Sequence, residues 1–194
     1  MADNGPFAGG RTMRERMLAG DLYIADDPVL VEEHRRAQAT LAEFNAELDP
    51  VARRRLLTGL LAHLGEGSEI RPPFHCDYGI HIRVGARTFA NFGFTVLDCA
   101  PVTIGDDVQI GPHVQLLAAT HPVEPGPRRD KWESAAPIVI GDNVWLGGGV
   151  IVLAGVTIGA DSVVGAGSVV TGDLPAGVVA VGSPARVIRS IVGG

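Results

Sequence analysis

Aromatic residues are scarce in this chain of 194 residues: Phe, Tyr and Trp together make up 5% of it. A chain so poor in aromatics suits many short strands better than helices. Positive charge is also short, with 16 Lys and Arg against 22 Asp and Glu and a net charge of −6. There is no basic run, so nucleic acid is not an expected partner. The same imbalance excludes a general electrostatic pull on a polyanion, and an anionic ligand would need local Arg residues or backbone N–H groups. Only two cysteines occur, Cys76 and Cys99, in no C-x-x-C pattern. They make no disulfide framework and read as reduced thiols. No apolar run reaches membrane-span length, and no apolar segment of signal-peptide type follows Met1. The expectation is a cytoplasmic protein without a membrane partner.

What the chain has instead is glycine, 26 residues of it, with Val and Ile gathered in its second half. That composition suits many short strands. Residues 1–12 are polar and are expected to be disordered. Residues 13–70 read as a helical N-terminal region. Asp27-Pro28 is a helix cap followed by Pro at the first helical position, and Leu30, His34, Ala37, Leu41, Phe44 and Leu48 then recur on one helical face. Asp49-Pro50 repeats the signal ahead of Leu56, Leu57, Leu60, Leu61 and Leu64, with Gly65 as a natural stop. The charged runs Glu32-Glu33 and Arg53-Arg54-Arg55 are read as solvated faces.

From residue 71 to residue 194 the pattern changes. An aliphatic residue followed by Gly stands at Ile104, Ile110, Ile140, Leu146, Ile158 and Val164, always a multiple of six residues apart. Four positions after each comes a small or β-branched residue: Val108, Val114, Val144, Val150, Ser162 and Ser168. The phase extends back through Val102, Val96, Ala90 and Val84. Each hexapeptide is read as one short strand and a turn, with three to a coil, and the inward residues stack into one continuous core. Gly permits the tight corner. A β-sandwich would repeat at longer intervals. The expected fold class is mainly β, a parallel β-helix of hexapeptide repeats with a small helical region ahead of it.

Residues 120–136, with three prolines, break the repeat and read as a protruding loop. Loops of that length within a domain are usually functional. His121 stands at its base, in Ala119-Thr120-His121-Pro122. An imidazole is suited to take a proton near neutral pH. A surface histidine beside a proline is the plain alternative.

At this point the chain resembles the maltose and galactoside O-acetyltransferases, a family that includes the nodulation-type acetyltransferases. The resemblance rests on MRERMLAGDLY (13–23), RPPFHCDYG (71–79), FANFGFTVLD (89–98), ATHPV (119–123), IGDNVWLGGGVIVLAGVTIG (140–159), GAGSVVTGD (165–173) and VGSPARVIR (181–189). It implies a left hand for the coil, acetyl-CoA as co-substrate, and a homotrimer with active sites between subunits. It implies His121 as the catalytic base, with Asp26, Asp77, Asn91 and Cys99 at acceptor-binding positions. For acetyl-CoA it implies Trp145, Gly148, Ala166, Thr171, Gly172, Arg186 and Arg189. At position 99 the galactoside enzymes carry an acid. Here the acid stands one residue earlier, at Asp98, which leans toward a maltose- or glucose-like acceptor. Gly172 stands where the family commonly has Lys. No metal is expected, and neither cysteine is placed as an acyl carrier. Two other readings compete. A γ-type carbonic anhydrase-like enzyme would need His81, His113 and His121 around zinc. An inactive β-helix scaffold would need none of the catalytic positions.

Overall fold

The structure, a computed structural model, describes residues 10–191. The disorder expected of residues 1–12 lies outside them for residues 1–9, and it does not hold for Arg11 and Thr12, which are held by an ion pair and a helix cap. Thr12 caps helix α1 (Met13–Ala19) in a capping box with Glu15, and Arg11 pairs with Asp21 at 2.6 Å. Helices α2 (Pro28–Ala46) and α3 (Pro50–Leu60) start where the Asp-Pro signals place them. Asp27 accepts from the Val29 N–H, and Asp49 from those of Val51 and Ala52. Leu30, Ala37, Leu41 and Phe44 are buried on one face of α2, as the spacing requires. Leu48 departs from that reading. α2 ends at Ala46, the Glu47 carboxylate accepts the N–H groups of Leu48 and Asp49, and Leu48 is 88% exposed. Gly65 is not the stop of α3, which ends at Leu60. His63–Leu64 already belongs to the coil, so its strands begin inside the stretch read as helical.

The coil is a triangular prism with three faces of parallel strands. The first holds His63–Leu64, Ile82–Val84, Val102–Ile104, Ile138–Ile140 and Thr157–Ile158. The second holds Glu69–Ile70, Phe89–Ala90, Gln109–Ile110, Trp145–Leu146 and Val163–Val164, and closes with Val178–Gly182 and the antiparallel Ala185–Ser190. The third holds Phe74–Cys76, Phe94–Leu97, Gln115–Leu117, Ile151–Leu153 and Val169–Val170. Inward residues form stacked files such as Ala90, Ile110, Leu146 and Val164, all 2% exposed or less. Each buried methylene contributes roughly 0.8 kcal/mol.

Corners carry the rest of the sequence signature. Where the first face turns into the second, Arg87, Asp107, Asn143 and Asp161 all adopt φ between 54° and 60°. Asn and Asp tolerate that left-handed conformation better than other residues with a side chain.

The six-residue period holds only in the upper coils. Val152 pairs with Val170, a step of 18, whereas Val96 pairs with Leu116 and Val84 with Ile104, each a step of 20. The two extra residues lie at one corner, where the third face turns into the first. Three residues, Leu153, Ala154 and Gly155, separate the inward Val152 and Val156. Five separate Cys76 from Ile82, and five separate Val96 from Val102. The next coil inserts far more there: Leu116 pairs with Val152, a step of 36. That insertion is not a structureless loop. Ala119–Thr120 and Trp132–Ala135 pair as an antiparallel hairpin, helix α4 (Pro125–Arg129) forms its tip, and Tyr23–Ile24 adds a third strand. Every expansion of the coil is therefore stacked along one edge.

Close stacking at the glycine corners predicts a sharp penalty. A Cβ on Gly147 would lie 2.6 Å from the Ala166 backbone nitrogen. Gly147→Ala is expected to destabilise the protein by about 1–3 kcal/mol in a calorimetric melt. Gly126→Ala, with open space around it, should leave the melt unchanged.

Candidate active site

The expanded edge is covered by α2. The Asn45 side chain exchanges hydrogen bonds with the Phe74 backbone (2.8 and 3.0 Å), and Gln38 donates to the Cys76 carbonyl at 2.8 Å. Between α2, the hairpin and the edge lies a cavity of about 380 Å³. Its polar lining is His34, Asp77, Tyr78, Cys99, His121 and Glu133; Leu30, Val31 and Leu97 are part of its apolar wall.

Asp98 shapes this wall from below. It is fully buried, and its Oδ1 accepts the N–H groups of Asp77 (3.0 Å) and Tyr78 (2.8 Å), while Oδ2 accepts that of His81 (3.3 Å). His81 Nδ1 lies 2.7 Å from the Asp98 carbonyl oxygen. The five-residue corner is thus folded around one carboxylate. Asp98 is spent on this work and has no free edge for a ligand, so it cannot stand in for an acid at position 99. Asp77 projects into the cavity. Burial first, and then the nearby Asp98 charge, push its carboxyl above the ordinary range, while a bond from the Cys99 thiol (3.5 Å) opposes the shift. The thiols of Cys76 and Cys99 are themselves pushed up, chiefly by burial. A neutral thiol is a poor nucleophile.

His121 is the first residue past the strand Ala119–Thr120 and is exposed at the cavity mouth. Arg128 in α4 donates to the carbonyls of Pro122 and Val123 and so ties the hairpin tip back to the segment following His121. Glu133, on the opposite hairpin strand, accepts from the Tyr23 hydroxyl at 3.0 Å. His34 meets the Tyr78 ring edge-on at 6.1 Å. The chemistry available is proton transfer by an imidazole beside carboxylates that can accept hydrogen bonds from hydroxyl groups. His34, Tyr78 and Glu133 were not singled out from the sequence. The one signal was His34, a polar residue inside an otherwise apolar helical stripe.

Comparison with known proteins places this geometry. The maltose acetyltransferase hexapeptide capping motif matches residues 16–65, and the bacterial transferase hexapeptide (six repeats) matches residues 137–172. Nodulation protein L of Rhizobium meliloti (strain 1021) is 49% identical over 179 residues, covering 91% of this chain and 98% of that protein. A maltose O-acetyltransferase from Clostridium difficile 630 superposes with a TM-score of 0.92 at 42% identity, over 94% of this chain and 99% of that one. A hexapeptide-repeat acetyltransferase from Vibrio cholerae, solved with acetyl coenzyme A, gives 0.88 at 41% identity, over 93% and 99%. The chain belongs to the maltose and galactoside O-acetyltransferase family.

As an acetyltransferase of this family, the chain distributes the expected site residues over two edges. Asp77, Cys99 and His121 share the expanded edge, and Thr171 and Gly172 follow the strand Val169–Val170 at the same edge of a later coil. Asn91, Gly148 and Ala166 lie on the other side of the third face, at the corner where the second face turns into it. Asn91 Oδ1 accepts from the Phe92 N–H. Trp145 points outward from the second face, 56% exposed, and Arg186 and Arg189 are exposed on that face's last strand. Asp26 is exposed just past Ile24 and does not line the cavity, although its neighbour Ala25 does. One chain therefore does not bring all these residues together. The three histidines of a zinc reading do not converge either: His81 is bound to the Asp98 carbonyl, and His113 lies on the Asn91 edge. Among the described residues no group of His, Cys, Asp or Glu is arranged to hold a metal.

Removing the Asp98 carboxylate leaves three N–H groups unpaired, one buried and two partly buried. Asp98→Ala is expected to cost about 3 kcal/mol in urea denaturation, with faster hydrogen exchange at the Asp77 and Tyr78 amides.

Proposed function

We propose that the chain transfers the acetyl group of acetyl-CoA to a hydroxyl of a sugar, with a maltose- or glucose-like acceptor favoured, and that His121 is the general base. The observation that carries this reading is the cavity itself, which an exposed imidazole and a hydrogen-bonding carboxylate line together on the one expanded edge of the coil. The acceptor hydroxyl binds against Asp77, with His34 and Glu133 on the flanking walls. His121 takes its proton as the oxygen attacks the thioester carbonyl. The carbon–sulfur bond then breaks, and CoA leaves as the thiol. The raised thiol of Cys99 speaks for this direct transfer and against an acyl-cysteine.

The separation of the two edges supports a homotrimer. The His121 edge of one subunit would face the Asn91 edge of its neighbour, a head-to-tail contact that closes as a ring. Asn91 would then complete the acceptor site from across the interface. The fit of acetyl-CoA rests on the bareness of that second edge. Gly147, Gly148 and Gly149 stack below Gly165, Ala166 and Gly167, with no long side chain among them. Such a track accepts a pantetheine arm along the backbone, with Trp145 beside the acyl group and the Gly148 amide as oxyanion donor. Thr171, Gly172, Arg186 and Arg189 would hold the nucleotide end, the two guanidinium groups meeting its phosphates. Gly172 offers no charge there. Two buried free thiols suit a reducing, cytoplasmic setting.

Two measurements test this. His121→Ala is expected to lower turnover about 10²–10⁴-fold, followed as free-thiol release over a panel of sugars; unchanged turnover would refute the assignment. Mixing His121→Ala with Asn91→Ala subunits, after dissociation and reassembly, should restore roughly a quarter of wild-type activity. No restoration from two inactive parents would place Asn91 outside the shared site.

A further inference from the structure

Two carboxylates face the acceptor cavity from different parts of the chain: Asp77 from the coil and Glu133 from the hairpin. Each has one oxygen engaged by a neutral donor. The Tyr23 hydroxyl donates to Glu133 Oε2 at 3.0 Å, and the Cys99 thiol donates to Asp77 Oδ2 at 3.5 Å. The Tyr23 hydroxyl also meets the Cys99 sulfur. Tyr23 is fully buried, although its strand is only two residues long. One line of side chains, Glu133, Tyr23, Cys99 and Asp77, thus joins the hairpin, the N-terminal segment and the coil.

We propose that Tyr23 and Cys99 form a strut of two neutral donors that fixes the carboxylates of Glu133 and Asp77 in the acceptor pocket, and that both are positioning residues for the acceptor. This rests on the reading of that cavity as the acceptor site. A phenol and a thiol hold one proton each, and each gives it to a different carboxylate, so the contact between the Tyr23 oxygen and the Cys99 sulfur carries no proton of its own and joins them by packing. The remaining carboxylate oxygens are left for the acceptor hydroxyls. Burial pushes the phenol and the thiol up, so both stay protonated through the neutral range. The strut also gives Cys99 a role of its own. An acid at that position would set a second negative charge against Asp77. The thiol instead donates to Asp77, and position 99 adds no further charge to the wall.

The test is steady-state kinetics of Tyr23→Phe, Cys99→Ala and Cys99→Ser in the full-length protein, with both substrates varied across pH. Tyr23→Phe and Cys99→Ala are expected to raise the acceptor KM about 5–20-fold and to leave the acetyl-CoA KM within about twofold. Cys99→Ser, which restores a donor, should recover most of the loss. The pH profile has a defined sign. The groups facing Asp77 are Asp98 and Tyr78 of its own corner, Cys76, Cys99, His34 of α2, and Glu133 and His121 of the hairpin. Among them the Cys99 thiol first, and then the charge of His34, hold Asp77 down. Removal of the thiol should move the acid limb of acceptor kcat/KM to higher pH. Wild-type acceptor KM and an unshifted limb in the folded variants would overturn the strut, as would a Cys99→Ser variant no better than Cys99→Ala. If Tyr23→Phe fails to fold, the cysteine pair decides alone. Wild-type and His121→Ala proteins run in parallel separate the two readings. Sugar-dependent thiol release that is lost in His121→Ala but untouched in the strut variants defeats the strut only. No sugar-dependent release by the wild type defeats both.

Discussion

The constraint on which this structure depends is the stacking of inward side chains from coil to coil. A residue such as Ile110 lies between Ala90 below and Leu146 above, in parallel register. Any coil must return to that register before the next can pair with it. Extra residues cannot be absorbed in a strand, because they would break the backbone ladder and leave buried polar groups unpaired. They can only be expelled at a corner. Here three successive coils expel theirs at the same corner, as two five-residue turns and one hairpin, and that common edge is where the cavity forms. The regular coils supply the rigid wall, and the irregular ones supply most of the cavity's polar lining.

An expelled segment needs its own internal order, and two different solutions operate. The short turns are gathered around Asp98, whose buried carboxylate takes the place of missing backbone partners. The long insertion pairs with itself and with Tyr23–Ile24, so the N-terminal segment and the hairpin form a small antiparallel sheet beside the coil. α2 then closes the cavity by docking Asn45 and Gln38 on the exposed edge strand Phe74–Cys76. A sheet edge otherwise open to pairing is covered by a helix. His121 gains its position from this arrangement, at the junction between a strand of the hairpin and its pinned tip.

The coil was legible in the sequence because its interior admits only small or aliphatic residues at fixed intervals. The two-residue slip of the lower coils was not legible, for a physical reason. Inward positions within a strand alternate with period two, so a shift of two lands on another inward residue: Val102 and Ile104 are both buried. The six-residue phase runs on through Val84 in the sequence, while the partner of Val84 in the next coil is Ile104, twenty residues away. The helix starts were legible because Asp-Pro fixes a cap locally. The end of α2 at Ala46 was not, because Leu48 continues the apolar spacing after the backbone has turned. His121 stood out where the period breaks. Glu133 did not, and His34 showed only as a polar residue in an apolar stripe, because tertiary packing alone brings α2 and the far hairpin strand against Asp77. Cys99 was legible as a departure from the family, but its bond to Asp77 was not.

The central claim is that the acceptor lies on the expanded edge against His121. The chain has six histidines, at positions 34, 63, 75, 81, 113 and 121, and their imidazole resonances can be followed by two-dimensional NMR during titration with a sugar that is turned over. The account predicts saturable shifts at His121 and His34, with His63 and His75 unmoved. A sugar that is acetylated yet leaves His121 unperturbed at saturation would contradict it.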